Sequence, residues 1–132
     1  MTDREARITL DKYKSIMSTA LHEVPSFISQ GTKHDLGKDR WDLAPWEAFG
    51  EVVKILTFGA GKYGDRNWER GIVYSRLFAA TVRHLSAWWR RDDLDPESGR
   101  SHLAHVLCCV AFILTFTLRG RTDLDNRPKV ET

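Results

Sequence analysis

The chain has 132 residues, 42% hydrophobic and 29% charged, with a formal net charge of +2. That is one domain's worth of sequence, enough for a single core and short for two. The near-balanced charge gives no bulk attraction for nucleic acid or an anionic membrane, so neither is expected as a partner. The N-terminus, from Met1 through Arg7, mixes charges with no apolar stretch and does not read as a signal peptide.

In chain order, the apolar positions Ile8, Leu10, Tyr13, Ile16, Met17, Ala20 and Leu21 predict a first helix over residues 8–22 within an N-terminal region 1–30. Pro25, Gly31 and Gly37 break the chain after that helix. The loop over residues 30–42 is basic, with Lys33, His34, Lys38 and Arg40. A second helix is expected from Pro45, which suits a first helical position, with Asp42 nearby to meet free amides. Trp46, Phe49, Val53 and Leu56 form its apolar stripe, joined by Val52 and Ile55, and Gly59 and Gly61 are expected to end it.

A glycine-rich loop spans residues 61–71. A third helix is predicted over 75–91, with Phe78, Val82, Leu85 and Trp89 as its apolar stripe and Arg83 and His84 in its middle. In the acidic turn that comes next, Asp95 reads as an N-cap and Pro96 as the first position of a last helix running to 118. Its apolar run, 103–118, contains Thr115 and Thr117 and is too short and polar for a membrane span, so it reads as a buried helix. Cys108 and Cys109 are neighbours inside it. On a helix they diverge by about 100°, which makes them small core residues in a reduced, cytoplasmic setting. Residues 119–132 read as a loose tail. No segment alternates as a strand. The expectation is a single all-α domain over residues 1–132, a bundle of four to five helices.

The chemistry concentrates in few places. Residues 92–105 hold four carboxylates and two imidazoles. His102 and His105 share a helix face, and with Asp95 and Glu97 they form a dense set of oxygen and nitrogen donors. Read alone, the stretch is a capped helix with solvated charge. Glu47 and Glu51 are four apart and can chelate a hard cation or bridge two. His84 gains interest as a ligand because the acidic turn returns towards it. Lysines and arginines of the two loops suit phosphate oxygens. Trp41, Tyr63 and Trp68 offer stacking surfaces, and Asp65 or Asn67 a polar edge reader. Together these describe metal-assisted phosphate-ester hydrolysis, with Mg²⁺ or Mn²⁺ neutralising charge and activating water.

Lys33-x-Asp35, Lys38-x-Arg40-Trp41-Asp42-Leu43-x-Pro45, Phe58-Gly59-Ala60-x-Lys62-Tyr63-Gly64-Asp65-Arg66-Asn67-Trp68, Arg83-His84-Leu85-x-Ala87-Trp88 and Asp95-Pro96-Glu97-Ser98-Gly99-x-x-His102-Leu103-Ala104-His105 resemble the phage dATP/dGTP diphosphohydrolase family. The resemblance covers residues 33–116 and is to MazZ-like members, relatives of the MazG-like all-α nucleoside triphosphate pyrophosphohydrolases. It implies that dGTP, and also dATP, is hydrolysed to the monophosphate and pyrophosphate, in phages that replace adenine with 2-aminoadenine. The wider superfamily carries Glu-Glu-x-x-Glu and Glu-x-x-Asp motifs, from which this chain departs. Glu47-x-x-x-Glu51 is a thinner first motif, and His102-x-x-His105 with Glu97 stands at the second. Imidazole ligands shift preference from Mg²⁺ towards Mn²⁺ or another transition ion.

The metal pool is therefore Glu47, Glu51, His84, Asp95, Glu97 and His102, for two or more ions of Mg²⁺ or Mn²⁺, with Glu47 and Glu51 as catalytic carboxylates. The substrate contacts expected are Lys33, Lys38, Lys62, Asp65, Arg66, Asn67, Trp68 and Arg83. Two rival readings are an HD-type triphosphohydrolase built on His34-Asp35, with His22 and His84 flanking, and a non-enzymatic helical module. The thin core per chain points to a homodimer or homotetramer.

Overall fold

The computed structural model describes the backbone of residues 2–22 and 31–131, and side chains of 2–16 and 31–131. It falls into two compact units, residues 1–39 and 40–132. Among the described residues it is all-helical, and no helix is long and apolar enough to cross a membrane.

The first unit contains α1 (Asp3–His22). The helix starts five residues ahead of its apolar pattern because Thr2 and Glu5 form a reciprocal cap. Glu5 N donates to Thr2 Oγ1, and Thr2 N donates to Glu5 Oε2 at 2.7 Å. Met17, Ala20, Leu21, His22 and Pro25 carry expectations that lie outside the described side chains.

The second unit holds α2 (Trp46–Tyr63), α3 (Tyr74–Trp89) and α4 (His102–Leu118), with α4 packing on both others. Pro45 precedes α2 as its cap. The helix continues through Gly59 and Gly61, where a side chain would meet only open space. It stops at Gly64, whose φ of 91° no helical residue takes. The last helix starts not at Pro96 but at His102. Residues 94–101 instead make a tight reversal, in which Leu94 bridges antiparallel to Ser101 and Asp95 N donates to Arg100 O at 2.8 Å. Ser101 is the cap, accepting from Leu103 N.

Tyr74, Leu77, Phe116 and Leu124 form one buried cluster; Ile55, Ala104 and Cys108 form another, and Phe112 packs against both. The expected stripes are not the buried faces. On α3, Phe78, Val82, Leu85 and Trp89 are exposed, while Tyr74, Leu77 and Ala87 point inward. On α2, Trp46, Phe49 and Val53 are exposed, Val52 and Leu56 half-buried, and Ile55 buried. Even α4 shows a largely apolar outer face, with Leu103, Leu107, Val110, Leu114 and Leu118 exposed beside Thr117. Both faces of each helix carry apolar residues, so spacing alone does not say which one turns inward.

The residues after α4 make contacts with the core as far as 126 that composition does not reveal. Leu124 enters the core, and Asn126 Oδ1 accepts from Ser75 N at 2.9 Å across the start of α3.

Candidate functional site

Three segments come together: the middle of α3, the 94–101 reversal and the first turn of α4. The Nδ1 atoms of His84 and His102 approach to 2.8 Å. His84, Asp95 and His102 offer donor atoms that all lie within 4.8 Å of one another. Two imidazole nitrogens sharing an ion at ~2.1 Å each stand roughly 3 Å apart, so this donor set fits one divalent cation. His105, one turn into α4, stacks on His84 with ring centroids 4.4 Å apart and an interplanar angle of 9°.

A relay fixes the carboxylate. Asp95 Oδ2 accepts from both the backbone N–H and the hydroxyl of Ser98, each at 2.9 Å. The Ser98 hydroxyl has one proton and gives it to Asp95. At 2.7 Å from His105 Nε2 it must therefore accept, which puts a proton on that nitrogen. Both hydrogen bonds fall on Oδ2, leaving Oδ1 for another partner. Burial would raise the Asp95 carboxyl, but the Ser98 hydrogen bonds and the facing histidines hold it below its ordinary value. His84 and His105 are pulled below the usual imidazole range, chiefly by burial; for His84 the neighbouring histidines add to this. All of this favours neutral rings and an ionised carboxylate, the forms that bind a cation.

The cluster sits at the wall of a cleft of about 1290 Å³, which His84, Asp95, Glu97 and His105 line. Lys62, Asp65, Arg66, Asn67 and Trp68 line it too. Lys62 is ion-paired with Glu97, and this contact, then Tyr63, raises its ammonium pKa. Arg66 occupies a left-handed conformation at φ 55° that turns the chain into a short 3₁₀ helix, Asn67–Arg70. Trp68 stacks on Phe112 at 4.8 Å with the Arg119 guanidinium 5.4 Å from its ring centre, so it forms cleft wall.

Other expected residues lie elsewhere. Glu47 is exposed on the first turn of α2 and Glu51 is half-buried and paired with Lys54 at 2.5 Å; neither lines the cleft. Arg100, in the reversal, is close enough to Glu51 to help keep its carboxyl low, after the Lys54 hydrogen bond. Arg83 is exposed and off the cleft lining. Trp41 is exposed and stacks on Trp46. Lys33, Lys38, His34 and Asp35 are exposed in the first unit, and His34-Asp35 joins no metal-type cluster among the described residues. Ser98 was not among the expected site residues, nor were Arg76 and Arg119, which line the cleft from α3 and the end of α4. No spacing announces these three. His105 is visible through its three-residue offset from His102.

A family model described as dATP/dGTP diphosphohydrolase, N-terminal, matches residues 28–127. A curated dATP/dGTP diphosphohydrolase of Salmonella phage PMBT28 is 35% identical over 97 residues, 74% of this chain and 33% of the relative. The chain thus spans about a third of that relative's length. No solved structure matches it. The matched segment contains α2, α3, α4, the reversal and the whole cleft, and the chain belongs to the dATP/dGTP diphosphohydrolase family through this N-terminal domain.

Proposed function

We propose that this chain is a metal-dependent pyrophosphohydrolase of the MazG-like kind, converting dGTP, and also dATP, to the monophosphate and pyrophosphate. The observation that carries this is the His84–Asp95–His102 donor set beside a cleft holding Arg66 and Asn67. The name of the phage relative supports the substrate class. Water attacks the α-phosphorus and pyrophosphate leaves. A bound divalent ion supplies Lewis acidity towards the phosphate oxygens and the attacking water. Arg66 and Lys62 carry the charge that offsets the departing pyrophosphate. Asn67 and Asp65, next to them, provide donor and acceptor groups for base or sugar. Glu97 lines the cleft, as Glu69 does, and lies two residues from Asp95 of the donor set; we assign Glu97 the general-base role expected of Glu47 and Glu51. The setting is phage nucleotide metabolism in the host cytoplasm, with dGMP feeding 2-aminoadenine synthesis, and the acting form is a homodimer or homotetramer.

The test is direct. Purified protein is incubated with dGTP or dATP and Mn²⁺ or Mg²⁺, and products are resolved by ion-exchange chromatography. Monophosphate and pyrophosphate are expected, with a large loss in Glu97→Gln. Nucleoside with tripolyphosphate, or no turnover with any ion, overturns the reading.

A further inference from the structure

His102 is 5% exposed, yet its Nε2 has no hydrogen-bond partner. An orphaned ring nitrogen at this depth calls for a reason. Its other nitrogen already faces His84 Nδ1 at 2.8 Å, a separation at which the two Nδ1 atoms can carry one proton between them at most. The nearest charged group to the orphan is the Asp92 carboxylate, with Oδ2 at 3.6 Å, just beyond hydrogen-bonding reach. Asp92 is not casually placed. Its backbone N–H donates to Ala87 O at 3.0 Å, and the next residue's carbonyl accepts from His102 N at 2.9 Å. The turn that carries Asp92 is thereby clamped to the helix start that carries His102.

We propose that His84 Nδ1, His102 Nδ1 and Asp95 hold one first-row transition ion of the Mn²⁺, Co²⁺ or Zn²⁺ class, and that Asp92 is the positioning carboxylate for His102. The proposal rests on the reading of this cleft as a metal site, and it adds the ion's class and the residue that tunes it. Two imidazoles and a carboxylate are a donor set for such ions, whereas Mg²⁺ prefers oxygen and retained water. Binding through both Nδ1 atoms requires both to be unprotonated. His102 then carries its proton on Nε2, facing Asp92. A carboxylate there fixes the tautomer and raises the basicity of the coordinating nitrogen. Asp95 is steadied in the same way from the other side, by Ser98 and His105.

The experiment uses Co²⁺ and no nucleotide, so it separates ion binding from hydrolysis. Ion-free full chain is titrated with Co²⁺ and followed by visible absorption, then challenged with Zn²⁺ and with millimolar Mg²⁺. One Co²⁺ per chain is expected, displaced by Zn²⁺ and retained against Mg²⁺. His84→Gln and Asp95→Asn should abolish the signal. Asp92→Asn should weaken affinity 10- to 100-fold. Its side chain is 64% exposed, so far-UV circular dichroism and the melting temperature of the ion-free protein should not change. Co²⁺ absorption no stronger than in His84→Gln, Mg²⁺ displacing Co²⁺ as readily as Zn²⁺ does, or wild-type affinity in Asp92→Asn would each overturn the proposal. Hydrolysis failing while Co²⁺ binds as described would sink the nucleotide reading and leave this one standing.

Discussion

Cys108 shows how position sets the chemistry of a single residue. It is buried between α2 and α4 beside Ile55 and Ala104, and burial, then the neighbouring Cys109, pushes its thiol up to about 12. Cysteine reacts as the thiolate, so Cys108 should resist iodoacetamide at pH 8 in the folded protein and react on denaturation, as peptide mass spectrometry would show. Rapid labelling of the native protein would contradict the burial. The linkage has a definite sign. The folded state holds this proton more tightly than the ordinary value of 9.0, so above that value the unfolded chain binds fewer protons and stability falls as pH rises towards 12. Cys108→Ala should flatten that part of the profile. Reading both cysteines as core residues was possible from adjacency within an apolar run. The pairing of Ser98 with Asp95 was not, because it depends on a chain reversal that local pattern presented as a helix start.

Among the elements, α3 and α4 end in the same way with different residues. After α4, Gly120 at φ 69° takes the left-handed position, with Arg121 N donating back to Phe116 O. After α3 that position falls to Arg91 at φ 70°, with Asp92 N donating to Ala87 O. A side chain there costs energy that glycine avoids. Arg91→Gly should therefore stabilise the protein, by about 1 kcal/mol, read as a raised midpoint in urea. A lowered midpoint would mean that the arginine side chain makes up the strain. Gly71 gives the opposite case. Its φ is +107°, and an added Cβ would stand 2.8 Å from Arg121 Nη2 and 3.0 Å from Leu124 Cδ2. Gly71→Ala should lose ~1–3 kcal/mol and loosen the 3₁₀ turn over Thr122–Leu124, which amide exchange would detect. Helix existence was legible from apolar spacing for the first three helices and from an unbroken apolar run for α4. Helix ends were misread where a glycine or proline signalled a boundary that the backbone did not adopt: Gly59 and Gly61 as a stop, Pro96 as a start.

For the whole molecule, the telling quantity is apolar surface left outside. Leu103, Leu107, Val110, Leu114 and Leu118 lie within one narrow arc of α4 and are all exposed, Leu118 at 79%. The opposite face carries Ala104, Cys108 and Phe116 into the core. A helix apolar on every side belongs in an interior, and α2 and α3 repeat the pattern with Val53 and Phe78. This supports the dimer or tetramer expected from the thin core. Leu107→Glu combined with Leu114→Glu should lower the mass measured by light scattering to that of one chain. A wild-type mass of 15.2 kDa would remove the argument. The all-α class was readable because no strand pattern competed. Which side of each helix faces inward was not, since the sequence codes two apolar sides, and only packing decides which is used within the chain.

The short reversal between α3 and α4 has a consequence for how the molecule assembles. His84 and His102 are separated by 18 residues, and the two helices they belong to are adjacent in the chain. The nitrogen pair therefore closes a small ring, whose entropic cost is low. Contacts of this kind form early, because little chain must be gathered first. An ion caught by the emerging hairpin would act as a reversible cross-link between α3 and α4 before α2 has docked. The order in which the helices come together would then depend on whether the solution contains that ion.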